Sequence, residues 1–174
     1  MLIKSIGFVL ILFFLLSAVI INTDPNTEIE LGRKLFFDPI LSIDSTISCA
    51  SCHKPEFAFA DNRPISPGVG GRLGNRNAPS VMNMSARRQF FYDGRAKNLE
   101  DQVSFPIVDQ NEMSHNIEAL IYKLKEHPNY IRWFEKIYNA KPNLVLVSKA
   151  IALFEKILET SNTEFDAYMN GNPN

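Results

Sequence analysis

Cysteine is almost missing from this chain: Cys49 and Cys52 are the only two among 174 residues, so no disulfide framework beyond that one pair can hold it together. Basic charge is in no excess either. The formal net charge is −1 and the lysines and arginines are scattered, which leaves no positive field for nucleic acid. Histidine occurs at 53, 115 and 127 alone, too few to pair with the cysteines as a zinc site unless His115 or His127 joins them. No stretch alternates apolar and polar residues long enough to read as a strand, and no internal repeat is visible. The length suits one domain and leaves no room for a second of similar size.

What is present begins with a targeting signal. Lys4 precedes an apolar run from Ile6 to Ile21, in outline a secretory signal. No clean small-x-small cleavage site follows Ser17 and Ala18, so an uncleaved N-terminal membrane anchor is the other reading of residues 1–21. Either way the remainder is exported, to the periplasm in a bacterial cell. Residues 22–27 form a polar spacer, and 28–174 form a single domain.

Within that domain, Ile29, Leu31, Leu35 and Phe36 recur near helical spacing over Glu28 to Phe37, and Asp38-Pro39 ends the helix. From Asp61 to Pro79 the chain reads as loop, with Gly68, Gly70, Gly71 and Gly74 making up half of its eight glycines. Such a segment can press its backbone against something flat. The last third reads as helices: Ile117, Leu120, Ile121 and Leu124 on one stripe, Tyr130, Ile131, Phe134 and Ile137 on the next, and Val147, Ile151, Phe154 and Leu158 on the longest. His115 and His127 read as helix-end residues, and Trp133 as packing. The predicted class is all-α with long loops.

The two cysteines stand in Cys49-Ala50-Ser51-Cys52-His53. This is the attachment pattern of a c-type haem: two thiols form thioethers with the porphyrin vinyl groups, and the adjacent imidazole becomes an axial iron ligand. A thioredoxin-like dithiol would want a βαβ context, which is missing. A plain structural disulfide is the remaining alternative in an exported protein.

Around this motif, Leu31-Gly32-Arg33-Lys34-Leu35-Phe36-Phe37-Asp38-Pro39 and Ile47-Ser48 precede the cysteines, and Arg76-Asn77-Ala78-Pro79-Ser80-Val81, Phe91-Tyr92-Asp93-Gly94-Arg95, Leu99-Glu100-Asp101-Gln102, Pro106-Ile107, Glu112-Met113, Phe154-Glu155 and Phe165-Asp166 follow in order. Together they resemble the N-terminal, peroxidatic domain of the bacterial di-haem cytochrome c peroxidases, over roughly residues 28 to 171. The resemblance implies a c-type cytochrome domain with one covalent haem c on Cys49, Cys52 and His53. It implies hydrogen peroxide as substrate and a small cytochrome c or copper protein as electron donor. By family position Glu112 is the distal acid-base group, Gln102 a polar neighbour orienting peroxide, Tyr92 the aromatic residue between two haems, and Asn77 a calcium ligand at the domain junction. A carboxylate can move a proton between the two peroxide oxygens, and an amide can hold one of them without titrating.

The sequence departs from that pattern at three places. A second Cys-x-x-Cys-His motif is lacking, which leaves three readings open: a fragment of a longer chain, one half of a split di-haem protein, or a single-haem relative. Val69 stands where some members carry a distal histidine, and Tyr92 stands where tryptophan is usual. The competing function is an electron-transfer cytochrome with Met82, Met84 or Met113 as sixth iron ligand, which would close the iron to substrate.

Overall fold

A capping box at Thr27 starts the fold: its hydroxyl accepts from the Glu30 amide, and the Glu30 carboxylate accepts from the Thr27 amide at 3.1 Å. The computed structural model describes residues 24–171, so the predicted signal or anchor at 1–21 lies outside the described residues. Helix α1, Glu28–Phe37, buries Leu31, Gly32, Leu35 and Phe36. Asp38 ends it and directs one carboxylate oxygen to the Ile40 amide at 2.8 Å, opening a short 3-10 turn at Pro39–Leu41. Its other oxygen accepts from the Tyr130 hydroxyl at 2.8 Å, which ties the end of α1 to the helices that follow.

Among the described residues six more helices follow: α2 (Cys49–Cys52), α3 (Leu99–Val108), α4 (Ile117–Glu126), α5 (Pro128–Tyr138), α6 (Leu144–Lys156) and α7 (Glu164–Met169). Asn98, Asn116 and Asn143 cap α3, α4 and α6, each accepting a backbone N–H through its side-chain oxygen. No strand occurs among the described residues. Three isolated bridges, Lys54 with Ala60, Pro67 with Leu73 and Phe90 with Ala96, pinch the loops instead.

Helix α6 organises the core, packing against both α1 and α3. The approach to α1 is close enough that a Cβ on Gly32 would lie 1.8 Å from the Ala150 carbonyl oxygen, so only glycine fits there. Phe36 and Phe154 meet edge to face at 5.2 Å beside this crossing, and Phe59 closes the cluster from the loop after α2. The all-α class and helices α1, α4, α5 and α6 agree with the periodicity. Helix α3 was not visible in it, because Pro106 lies inside the element and only Leu99, Val103 and Ile107 mark the buried face.

Candidate functional site

One short helix brings both thiols to the same place. Cys49 and Cys52 are first and last residues of α2, one turn apart, and His53 follows as its C-cap, its amide donating to the Cys49 carbonyl at 2.9 Å. Both cysteines are free thiols. Burial pushes the Cys49 thiol upward, with the Glu155 and Cys52 charges adding to it, and burial likewise raises Cys52.

The His53 ring is held by the loop after α2. Its Nδ1 lies 3.1 Å from the Phe59 carbonyl and 3.0 Å from the Pro79 carbonyl. Carbonyls only accept, so the ring proton is on Nδ1, and Nε2 keeps its lone pair for coordination. Burial also lowers the His53 pKa, against the two backbone hydrogen bonds, which favours the neutral ligand form. The loop that supplies Phe59 is itself fastened: Asp61 accepts from Lys54 Nζ and from Ser66 Oγ, each at 2.6 Å, with its carboxylate wholly shielded from solvent. Burial alone would raise the Asp61 carboxyl, but the bonds from Lys54 and Ser66 outweigh it and hold it at about 2.

Cys49, Cys52 and His53 open into a cavity of about 550 Å³, open mouth included, walled by Leu41, Ile47, Val81, Val103, Ile107 and Ile151. Gln102 and Pro106, one turn apart on α3, line it together, as do Ile151 and Glu155 on α6. Pro106 has no N–H, so the Gln102 carbonyl loses its helical partner while its side chain faces the cavity.

Glu112 lines the same cavity from the turn after α3. Three backbone bonds set that turn: the Glu112 amide to the Asp109 carbonyl at 3.1 Å, Met113 to Pro106 at 3.2 Å and His115 to Ile107 at 2.7 Å. The glycine-rich loop completes it. Gly68 presses against the backbone of Asn111 and Glu112, and the Val69 amide donates to the Glu112 carbonyl at 2.8 Å. The loop therefore meets protein backbone at Gly68, whereas no protein atom lies within 4 Å of where a Cβ would stand on Gly70, Gly71 or Gly74. Much of the Glu112 surface is accessible, but the surrounding cavity wall still raises its carboxyl above the ordinary range, with repulsion from Asp109 adding to the rise and Arg95 opposing it. Arg95 is fixed by stacking 3.6 Å over the Phe91 ring and by its pair with Asp93 at 2.9 Å.

The structure thus brings Cys49, Cys52, His53, Gln102 and Glu112 to one cavity, together with Met113. Tyr92 and Asn77 lie elsewhere. Tyr92 is 61% exposed and donates from its hydroxyl to the Asn77 side-chain oxygen at 2.7 Å, with Arg76 over its ring at 5.6 Å. No cluster of three or more His, Cys, Asp or Glu side chains suited to a metal ion occurs among the described residues. Met84 is buried in the core and is not one of the residues that line the cavity. Sequence reasoning noted Glu155 only within the Phe154-Glu155 motif and gave it no role, although it is a cavity residue that is 4% exposed. The signal was there in a carboxylate one turn after Ile151 on an otherwise apolar stripe.

The donor set fits a c-type haem. Two thiols on one helical turn, an adjacent imidazole with one oriented nitrogen left for a metal, and an apolar wall are what that group requires.

Comparison with known proteins agrees. The family model described as di-haem cytochrome c peroxidase matches residues 26–174. The cytochrome c peroxidase Ccp of Escherichia coli K12 is 40% identical over 148 residues, covering 84% of this chain and 32% of that protein. The cytochrome c551 peroxidase of Nitrosomonas europaea is 38% identical over 154 residues, covering 87% of this chain and 46% of that protein. Among solved structures, a MauG-like protein associated with microbial copper homeostasis superposes with a TM-score of 0.76 at 27% identity, over 87% of this chain and 46% of that one. The chain spans between a third and a half of the length of the relatives it matches.

Proposed function

The chain belongs to the di-haem cytochrome c peroxidase family, and from that premise we propose that residues 28–174 form a peroxide-reducing haem c domain, exported to the periplasm. The observation that carries this reading is the convergence of Cys49, Cys52 and His53 with Glu112 and Gln102 on one cavity. Export is supported by Lys4 and the apolar run after it, and by the haem motif, since thioether attachment takes place outside the cytoplasm.

When bound, haem c supplies the iron that takes up peroxide and passes electrons to it. Cys49 and Cys52 would hold the haem covalently, and His53 would supply Nε2 to its iron. Gln102 fixes peroxide through its amide, which accepts and donates without changing charge. Glu112 accepts the proton of the inner peroxide oxygen and returns it to the outer one, which leaves as water. The overall balance is one peroxide, two electrons and two protons to two waters. One electron at a time comes from a small cytochrome c or copper protein, and a second haem domain or partner chain supplies the other redox centre. A raised carboxyl at Glu112 brings its proton exchange closer to neutral pH, where both transfers run readily. Calcium at Asn77 belongs to that two-domain arrangement, because the remaining ligands would come from the second domain.

Met113 also lines the cavity, and a thioether on the iron would make this an electron carrier instead. One experiment separates the two. The exported domain is produced with haem attachment, and its ferric absorption spectrum is recorded before and after hydrogen peroxide is added. A high-spin spectrum that changes with peroxide, a change slowed about 100-fold or more in Glu112→Gln, supports the peroxidase. A low-spin spectrum with a sulfur-to-iron charge-transfer band and no response to peroxide overturns it.

A further inference from the structure

Glu155 has no assigned task in this cavity, and its surroundings are unusual for a carboxyl group. It lies on the inner face of α6, 4% exposed, and its Oε2 has no hydrogen-bond partner. It lines the same cavity as Cys49, Cys52 and His53. An ionised carboxylate left unpaired in such a place costs several kcal/mol, so burial strongly favours the protonated form and only positive charge in the cavity can offset that. The helix reinforces this: Glu155 sits in the last turn of α6, where the negative end of the helix dipole disfavours an anion.

Among the described residues no cation offsets the burial of Glu155. Helix α1 turns Leu31, Gly32, Leu35 and Phe36 inward, and α3 turns Leu99, Val103 and Ile107 inward. On α6 itself, Lys149 is paired with Glu28 at 2.7 Å and Lys156 with Glu100 at 2.7 Å. From α2 the facing group is Cys49, which loses its proton for good once it is a thioether. His53 and Glu112 share the cavity. What remains able to change the potential at Glu155 is the charge of whatever fills the cavity.

Resting on the haem c reading, we propose that Glu155 is a proton-storing residue coupled to the electron on the bound cofactor. One-electron reduction of this domain then forms the O–H bond of Glu155 with a proton drawn from solvent. Reoxidation releases that proton. The electron comes from the one-electron donor protein, or from a chemical reductant in the test, and no other bond is made or broken. The added electron makes the cavity more negative and raises the affinity of Glu155 for a proton, and linkage requires the proton to favour the electron in return. Burial alone pushes the Glu155 carboxyl up to about 8, which places the exchange around neutral to mildly alkaline pH. Glu112 exchanges protons with substrate, whereas Glu155 would keep the charge of the buried cavity constant during electron uptake.

The test uses the haem-loaded domain and its variants Glu155→Gln and Glu112→Gln. Glutamine has the shape of a protonated glutamate, so folding is preserved. The reduction equilibrium is titrated spectroelectrochemically from pH 6 to pH 9, and the redox infrared difference spectrum is recorded. The expected result is a wild-type equilibrium that shifts about tenfold per pH unit across part of this range, retained in Glu112→Gln and lost in Glu155→Gln. A protonated-carboxyl C=O band should change on reduction of the wild type and be absent from Glu155→Gln. A pH-independent wild-type equilibrium, or a dependence that survives in Glu155→Gln, overturns the proposal. Failure of the chain to retain covalent haem would instead remove the reading on which it rests.

Discussion

Gly68 is a residue whose role depends on the absence of a side chain. A Cβ there would stand 2.1 Å from the Asn111 carbonyl oxygen and 2.5 Å from that of Glu112, and neither backbone can yield without moving the turn that carries Glu112. Gly68→Ala should therefore break the bond from the Val69 amide to Glu112, cost about 1–3 kcal/mol of stability and slow the peroxide response, while covalent haem content stays at the wild-type level. Gly74→Ala is the control. Nothing lies within 4 Å of the added methyl, and its stability should match wild type within about 0.5 kcal/mol. Urea unfolding and stopped-flow absorbance check both. Individual residues were unequally legible in the sequence. Cys49, Cys52 and His53 announce themselves by contiguity, because the chemistry demands fixed spacing. The resemblance singled out Glu112 and Gln102, whereas nothing local marks Asp61, seven residues from its partner Lys54, or tells that Gly68 meets protein rather than a flat ligand.

Helices α1 and α6 make the crossing on which the cavity wall depends, since α6 carries Ile151 and Glu155 into it. Gly32 permits that crossing, with the Ala150 carbonyl oxygen where its Cβ would be. Gly32→Ala should force the helices apart, lowering the urea midpoint by the equivalent of about 1–3 kcal/mol or more with an unchanged slope. A slope that also changes would mean that the variant no longer unfolds as one unit. The periodicity that reveals α1, α4, α5 and α6 comes from a broad apolar stripe facing one core. Helix α3 escapes that test because Gln102 and Pro106 face the cavity and interrupt the pattern. Function, in other words, blurs the signal in the element that carries it.

At the scale of the molecule, the described residues have a core that runs from α1 to α6 and leaves α7 outside it. Phe165, Tyr168 and Met169 on α7 are 66–68% exposed, and none of its residues is buried. The segment between α6 and α7 behaves differently. Asn83 bonds to Thr160 through its amide nitrogen at 3.1 Å and accepts from the Thr160 amide at 2.9 Å, and Ser85 bonds to Glu159, so the chain is tied to the body as far as Thr160. Periodicity could not foresee this, since a six-residue helix is too short to show a stripe and its burial depends on what packs against it. The cooperative unit should therefore end near Asn162. Removing residues 163–174 should leave the stability of the haem-loaded domain within about 0.5 kcal/mol of wild type, a shift of about 4 °C or less in the thermal midpoint, and leave haem retention unchanged. Differential scanning calorimetry of the two chains decides it: a larger fall would place α7 inside the folding unit and show that its exposed aromatic face hides a contribution to the body of the domain.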